Sequence, residues 1–343
     1  MARSFSEFGN ALYTGEKSIG FVGRRKLWYT ISVVIILIAI VGPFLRGGFQ
    51  FGIEFTGGSQ FQVHVASDTE RDPDLAEQAV ATVLPNSVPR VSVLGQNEVR
   101  VQTEALDDAQ NRAVTDALAA AYGVDPAEVT YSFIGPAWGQ DITRQAFVAL
   151  IVFILLSALV MALYFRTWKM SVAALIALFH DLIITAGIYG IAGFEVTPAA
   201  MIGFLTILGY SLYDTVVVFD KIRENTMPSE MSDRRTFAEA VNLAVNQTLV
   251  RSINTSVVAL LPVASILFVG AGLLGAGTLR DISLALFIGI LAGAYSTIFV
   301  AAPAYAHLRE GEKTLVEHDK KVLRLRGKDS DEVGLVTAST EEK

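Results

Sequence analysis

Two carboxylates stand where a carboxylate is expensive. Asp214 lies in GYSLYDTVVVF and Asp181 in ALFHDLIIT, and apart from His180 beside Asp181 no other acidic or basic residue interrupts either apolar stretch. A charged side chain at the centre of a bilayer costs at least ~2.5–3.5 kcal/mol, so it faces a bundle interior, has a partner, and marks an ion or proton pathway unless it only fixes packing. The chemistry available to such a group is reversible protonation. Arg251, in NQTLVRSINTS, is the candidate partner of Asp214, because it begins the next apolar run at a similar depth. A guanidinium beside the carboxyl favours its ionised form while desolvation opposes it. The expectation is an Asp214–Arg251 pair that a proton breaks, letting two helices shift, with a driving term of about 2.3 kcal/mol per charge per 100 mV. Tyr210, Tyr213, Thr215 and Asn254 are the expected surroundings of this relay. Asp181 is a second relay candidate without an obvious basic partner. His180 precedes it, and consecutive helical residues point ~100° apart, so the two are not expected to line one narrow contact. For both aspartates the competing reading is a hydrogen bond that only holds helices together.

Other chemistries need residues that the chain lacks. There is no Cys, which removes disulfides, thiolate metal sites and Cys nucleophiles together. HExxH, GxSxG and a Walker loop are absent, so neither zinc, serine nor ATP hydrolysis is expected. Tyr213 with Asp214 resembles one half of the YD and GxGD pair of intramembrane aspartyl proteases, but Leu178, Phe179 and His180 precede the other aspartate. No enzymatic activity, metal or cofactor is expected, and a net charge of −7 gives no reason for a nucleic-acid partner.

The elements that must position these residues are membrane helices. Of the 343 residues 52% are hydrophobic and only 18% charged, with mean hydropathy +0.46, too few charges to solvate a soluble domain of this size. The apolar residues are blocked into runs. Residues 27–45, 145–165, 252–279 and 282–306 contain no Asp, Glu, Lys or Arg, and 170–194 and 196–219 are broken only by His180 with Asp181 and by Asp214. Each is long enough to span, giving six helices. The first is long for a signal peptide and ends in Pro43, Phe44, Leu45 and Arg46 without a small-x-small site, so it is read as retained. Basic residues set the orientation: 20 of the 27 fall in the N-terminal segment, the second–third and fourth–fifth links and the tail, placing both termini in the cytoplasm. Residues 46–144 carry 6 Arg, no Lys and 14 acidic residues, a local charge of −8, and belong outside.

Within that exported segment the periodicity predicts strands over 59–66, 89–94, 98–103 and 128–134 and helices over 73–84 and 107–121. The order β-α-β-β-α-β is the ferredoxin-like arrangement. The expected fold is therefore a six-helix all-α membrane bundle with an inserted α+β ferredoxin-like extracytoplasmic domain. It divides into a cytoplasmic segment 1–26, helix one over 27–45, the exported domain 46–144, helices two to six over 145–306, and a tail 307–343 of mixed charge that is expected to be disordered. A recognition module and a rigid spacer are both compatible with the exported domain. Gly203 and Gly209, and Gly289 and Gly293, are expected to allow close helix contact.

Four blocks give the chain a family resemblance: FGIEFTGGS (51–59), GYSLYDTVVVFDKIREN (209–225), NQTLVRSINTS (246–256) and GLLGAGTLRDISLALFIGILAGAYS (272–296). In order and spacing it resembles the SecF family, the smaller subunits of the bacterial SecD/SecF accessory complex, within the resistance-nodulation-division superfamily. The resemblance implies a multi-pass protein of the bacterial cytoplasmic membrane that works with SecD and the SecYEG channel. Protons would drive late, ATP-independent movement of a translocating polypeptide. It places Asp214 at the family's relay aspartate of helix four and Arg251 at the arginine that starts helix five. Glu54 stands where Asp is frequent, keeping the charge, and Tyr213 where Asn is common. In the first block Gly52, Gly57 and Gly58 permit tight turns and Thr56 and Ser59 can cap amides, the features of a shaped connection into the first strand. The alternatives are a proton-driven exporter of small solutes or lipids from the same superfamily, and a purely structural clamp.

Overall fold

A computed structural model describes residues 5–65, 72–94, 98–165, 167–227, 234–271 and 277–341, so the glycine-rich stretch 272–276 of the fourth block lies outside the described residues. Among the described residues six helical spans are long and apolar enough to cross a bilayer. They are α2 (Arg25–Leu45), α6 (Pro136–Phe165), α7 (Trp168–Ala192), α8 (Pro198–Asn225), α9 (Phe237–Ser265), and α10 (Gly277–Ser296), which runs through a π-helical stretch, Thr297–Ala301, into α11 (Ala302–Arg309). A second π-helical stretch, Ile266–Ala271, follows α9. Both widened turns sit near a proline, Pro262 or Pro303, whose missing N–H and bulky ring disturb the regular ladder.

Local chemistry sets the ends. Thr197 accepts from the Ala200 amide and Pro198 occupies the first turn of α8. Thr236 and Glu239 form a capping box that starts α9 at Phe237, well before the apolar run beginning at Ser252. The first turns of α9 are amphipathic, burying Phe237, Val241, Ala244, Val245 and Leu249. Arg251 therefore stands in mid-helix and not at a helix start, because an amphipathic stretch continues an apolar helix without any break in the backbone. Close approach of helices uses small residues: a Cβ at Gly187 would lie 2.3 Å from that of Ala39 on α2, one at Gly289 2.3 Å from Ile207, and one at Gly203 2.6 Å from Ala285. Gly209 faces open space and makes no such contact.

Between α2 and α6 lies the α/β unit. Strand β1 (Gln50–Phe51) and a one-turn helix α3 (Ile53–Thr56) lead into β2 (Gly58–His64), α4 (Pro73–Val83), β3 (Arg90–Leu94), β4 (Glu98–Thr103), α5 (Asp108–Tyr122) and β5 (Val129–Ile134). The last four strands form an antiparallel sheet of order β3-β4-β2-β5, with Phe61 opposite Val101 and Val63 opposite Val99. These side chains pack with Val80 of α4 and with Val114 and Leu118 of α5 in one core. Side chains alternate along a strand, so Gln60, Arg100 and Gln102 project from the opposite face. Strand β6 (Glu195–Val196), between α7 and α8, pairs in parallel with β1, joining the unit to the helical body.

At the other end of the bundle α1 (Phe5–Thr14) packs on α9, and the following loop is held by side chains of α9: Asn246 accepts from the Ile19 amide and Asn242 from that of Phe21, each at 2.8 Å. The tail differs from the disorder that its composition predicts. It forms α12 (Lys313–Glu341). Leu315 and Val322, two turns apart on one face, are both buried, and Asp319 accepts from the Phe237 amide at 2.8 Å. Glu312 at its entry bonds both Lys169 and Arg309 at 2.7–2.8 Å, and its carboxyl is pulled down to about 2, chiefly by the Arg309 hydrogen bond. A few apolar residues at helical spacing suffice to dock a segment that is highly charged on average.

Candidate functional site

Asp214 is 6% exposed, on the face of α8 that meets α9. Its Oδ1 accepts a hydrogen bond from Ser252 Oγ at 3.0 Å, and its Oδ2 is buried without a partner among the described residues. The expected ion pair with Arg251 is not formed: Arg251 is exposed, and no carboxylate of the described residues lies within bonding distance of it. Consecutive helical residues face ~100° apart, so α9 presents either Ser252 or Arg251 to Asp214, and it presents the serine. Tyr210, one turn before Asp214, buries its hydroxyl toward Ser256. Tyr213 is 56% exposed and turns outward, as does Asn254, so neither joins the carboxylate. Thr215 is buried and meets Thr297 of the π-helical stretch, oxygen to oxygen, at 3.1 Å.

Asp181 is the more enclosed acid, at 1% exposure. Its Oδ2 accepts from Ser211 of α8 at 2.5 Å and from Ser296 of α10 at 2.8 Å, so one oxygen ties three helices. Its Oδ1 lies 3.2 Å from His180 Nδ1. The two neighbours do meet, against the expectation from their Cβ directions, because the imidazole reaches sideways along the helix to its neighbour's carboxylate. Asp181 thus has serine donors and an imidazole where no basic residue was apparent.

These contacts lie close together as one buried polar cluster. Ser211, Asp214 and Thr215 are three and four residues apart, on one side of α8. Asp181 bonds the first, Thr297 the third, and Ser252 the aspartate between them. The two protonatable carboxyls, on α7 and α8, each accept from hydroxyls, and Ser211, which bonds the first, stands one turn of α8 from the second without a hydrogen bond between them among the described residues. The arrangement can hold a proton on either acid and register its arrival as a change in which helices are tied. Ser211, Ser252, Ser296 and Thr297 were missed from the sequence. The signal for Ser211 was present in its spacing to Asp214, whereas lone hydroxyls on other helices carry none.

The first block builds a second polar cluster, at the foot of the α/β unit. Gly57 and Gly58 take φ of +75° and +143°, and a Cβ at Gly58 would lie 2.4 Å from the Thr103 carbonyl oxygen. Thr56 Oγ1 donates within the turn, to the Gly52 carbonyl at 3.2 Å or that of Gly57 at 3.0 Å. The Gly52 amide donates to the Val196 carbonyl at 3.0 Å. A Cβ at Gly52 would lie 2.3 Å from Glu54 Oε2 and 3.1 Å from Glu195 Oε1, which places two carboxylates side by side. Glu195 is held by Arg100 at 3.1 Å and Gln102 at 2.6 Å, both from the polar face of the sheet. Glu54 Oε2 is buried without a partner, and burial, aided by the charge of Glu195, pushes its carboxyl up. Among the described residues no group of three or more His, Cys, Asp and Glu is placed to hold a metal ion.

The comparisons agree on one family. Residues 113–311 match the family model described as protein export membrane protein SecD/SecF, C-terminal, and residues 46–69 match the SecD/SecF GG motif, the segment that carries Gly57 and Gly58. The protein translocase subunit SecF of Streptomyces coelicolor is 45% identical over 320 residues, covering 93% of this chain and 84% of the relative. That of Mycobacterium tuberculosis is 41% identical over 342 residues, covering 97% and 76%. Among solved structures, the crystal structure of SecDF, a translocon-associated membrane protein of Thermus thermophilus, superposes with a TM-score of 0.71 at 30% identity, over 86% of this chain and 39% of that longer one. A six-span helical body, a GG-motif turn beneath an inserted sheet, a family model over residues 113–311 and SecF relatives matched over about three-quarters or more of their length lead to one conclusion: the chain belongs to the SecD/SecF family of protein-export membrane proteins.

Proposed function

We propose that this chain is the SecF-type subunit of a bacterial protein translocase and that, with a SecD-type partner, it uses proton movement through Asp214 to drive export of a polypeptide. One observation carries the reading: Asp214 is buried between α8 and α9 with one oxygen held by a single serine and the other unpaired, an arrangement too weak for a structural tie and suited to a carboxyl that changes protonation. Arg251 supports the partnership. A guanidinium at the start of the apolar run on an outward face, beside exposed Tyr213, Ile253, Val257 and Val258, suits pairing with a neighbouring chain. Arg251 acts in the relay from that interface, and Asp181, bonded to Ser211 one turn of α8 from Asp214, is its second acid.

The rest follows from charge and topology. The basic residues put both termini in the cytoplasm and the acidic α/β unit outside. Its β-α-β-β-α-β order, with both helices on one face, supports a ferredoxin-like extracytoplasmic domain that meets the emerging polypeptide, while the helical body works alongside the SecYEG channel. A solute or lipid exporter of the same superfamily is the lesser reading, since such pumps carry two large external domains in one chain.

Inverted membrane vesicles holding the complete complex test the proposal. Asp214→Asn is expected to abolish the gradient-dependent step of preprotein export while leaving co-purification with the SecD-type partner intact. Undiminished export would reject the relay and favour a structural clamp.

A further inference from the structure

Of the 27 basic residues, the seven that do not fall on the cytoplasmic side are all arginines: six in residues 46–144, and Arg280 in the first turn of α10. Three of the seven converge. Arg90 of β3, Arg100 of β4 and Arg280 line one cavity of about 200 Å³ between the sheet and the outer ends of α7 and α10, with Glu195 and Asp281 as the acids of its wall. Three guanidiniums against two carboxylates leave a positive surplus, beside an exported segment whose own charge is −8. Arg100 is committed to Glu195, and the Asp281 carboxylate accepts from Thr197 at 2.8 Å. Arg90 gives one N–H to the Phe51 carbonyl at 3.1 Å, and the Arg280 guanidinium makes no hydrogen bond or ion pair among the described residues. The cavity is accessible, since none of its lining residues is buried and Arg90 and Gly193 are exposed. Its neighbours set its depth. Gly193 directly follows α7, and Leu45 at the end of α2 and Leu279 beside Arg280 are 83% and 50% exposed, as side chains facing hydrocarbon are. The cavity therefore lies where the spans give way to the headgroup layer.

We propose that this cavity binds the phosphate of an anionic phospholipid from the outer leaflet, held between Arg90 of the sheet and Arg280 of α10. The planar fork of a guanidinium matches a pair of phosphate oxygens, and basic pockets between span ends hold lipid headgroups. Arg100, anchored by Glu195, adds its charge from the sheet side. Phe194 and Leu284 give the cavity an apolar wall on which the glycerol backbone can rest. Its volume is below the ~300–1,000 Å³ of a site for a drug-sized molecule, and suits a headgroup whose acyl chains stay in the bilayer. A lipid so held bridges the sheet and the helical body at the corner that β1 and β6 already join. The outward placement of the α/β unit decides which leaflet supplies the lipid, whereas the site itself stands on the cavity and its arginines.

The test uses the full chain with its SecD-type partner, purified in detergent, stripped of lipid and titrated with dioctanoyl phosphatidylglycerol, with bound lipid counted by native mass spectrometry. Arg90→Gln and Arg280→Gln should each weaken the tightest-bound lipid by about 10- to 100-fold, the effect of losing a charge-assisted hydrogen bond. Arg112→Gln, which changes an exported arginine on α5 away from the cavity, should bind as wild type does. Melting temperatures without lipid check that each variant is folded. Undiminished binding in either cavity variant overturns the bridge between sheet and α10. Displacement of the lipid by inorganic phosphate at equal concentration would make free phosphate the ligand and overturns the lipid assignment, as does a glutamate-rich peptide that binds where the lipid does not. The titration reads binding and not export, so an active Asp214→Asn would reject the relay and leave this site standing.

Discussion

Ser252 Oγ sits 3.0 Å from Asp214 Oδ1, so α9 holds the carboxyl of α8 by a hydroxyl and leaves the charge of Arg251 on its outer face. Helix five of the bundle thereby has two faces with separate duties, one turned to the buried acid and one to whatever lies beside the chain.

That division predicts different losses from adjacent substitutions. Ser252→Ala removes the donor to a buried carboxyl, at about 1–3 kcal/mol, and should lower the melting temperature of the isolated chain by several degrees and slow gradient-driven export. Arg251→Ala should move the melting temperature little, within about 0.5 kcal/mol, but weaken recovery with the SecD-type partner. Scanning fluorimetry and co-purification distinguish them; equal melting temperatures for the two variants would contradict the assignment of faces.

Gly58 occupies a left-handed backbone against the Thr103 carbonyl, 2.4 Å from where a Cβ would stand. Gly58→Ala should destabilise the sheet by about 2–3 kcal/mol through backbone strain and the clash. Amide exchange of β2 and β4 should quicken while that of α7 and α8 stays protected.

Glu54 gives a pH signature. Its carboxyl is raised above the ordinary 4.5, first by burial and then by Glu195, so the folded protein binds a proton more tightly there than the unfolded chain does. Stability from this group is full below 4.5 and declines as pH rises through its raised value. Glu54→Gln should remove the decline, making the variant more stable than wild type at neutral pH and no better at acidic pH. Melting temperatures across that range decide the matter.

Glu312 works in the opposite sense. Hydrogen bonding to Arg309, then Lys169, holds its carboxyl down at about 2, so its contribution is fully present above 4.5 and disappears as pH falls toward about 2. Glu312→Gln should lower the melting temperature by a constant amount between neutral pH and about 5, where both states of the wild type are ionised. The gap should close on further acidification, and limited proteolysis should find α12 loosened at neutral pH. An unaltered cleavage pattern would show that the clasp does not hold α12.

The spans were legible because hydrocarbon thickness demands uninterrupted apolar length, and Asp214 and Asp181 because a carboxylate in such a run is conspicuous. Their partners were not. Ser252 meets Asp214, so Arg251 stands one residue from the contact along the helix, but azimuth decides contact, and a shift of one residue exchanges arginine for serine. His180 and Asp181 fell to the opposite error, since Cβ directions understate how far an imidazole reaches along its own helix. Ser211 and Ser296 contribute through three-helix geometry that no single run contains. The start of α9 was misplaced because its amphipathic first turns lack the hydropathy of a span, and α12 because average composition hides two well-spaced apolar residues. The β1–β6 pair, two residues long and far apart in sequence, leaves no periodic trace at all.

That pair has a mechanical consequence. Gln50 against Glu195 and Phe51 against Val196 clip the chain just after α2 to the chain just after α7, and Arg100 rivets the sheet to the same Glu195. The α/β unit is therefore no pendant on a flexible stem. It is pinned at a pivot whose other arm is the α7–α8 corner, the corner between the helices that carry Asp181 and Asp214. A tilt of either helix transmits torque to the sheet through a few backbone bonds, and a load on the sheet pulls back on the two acids.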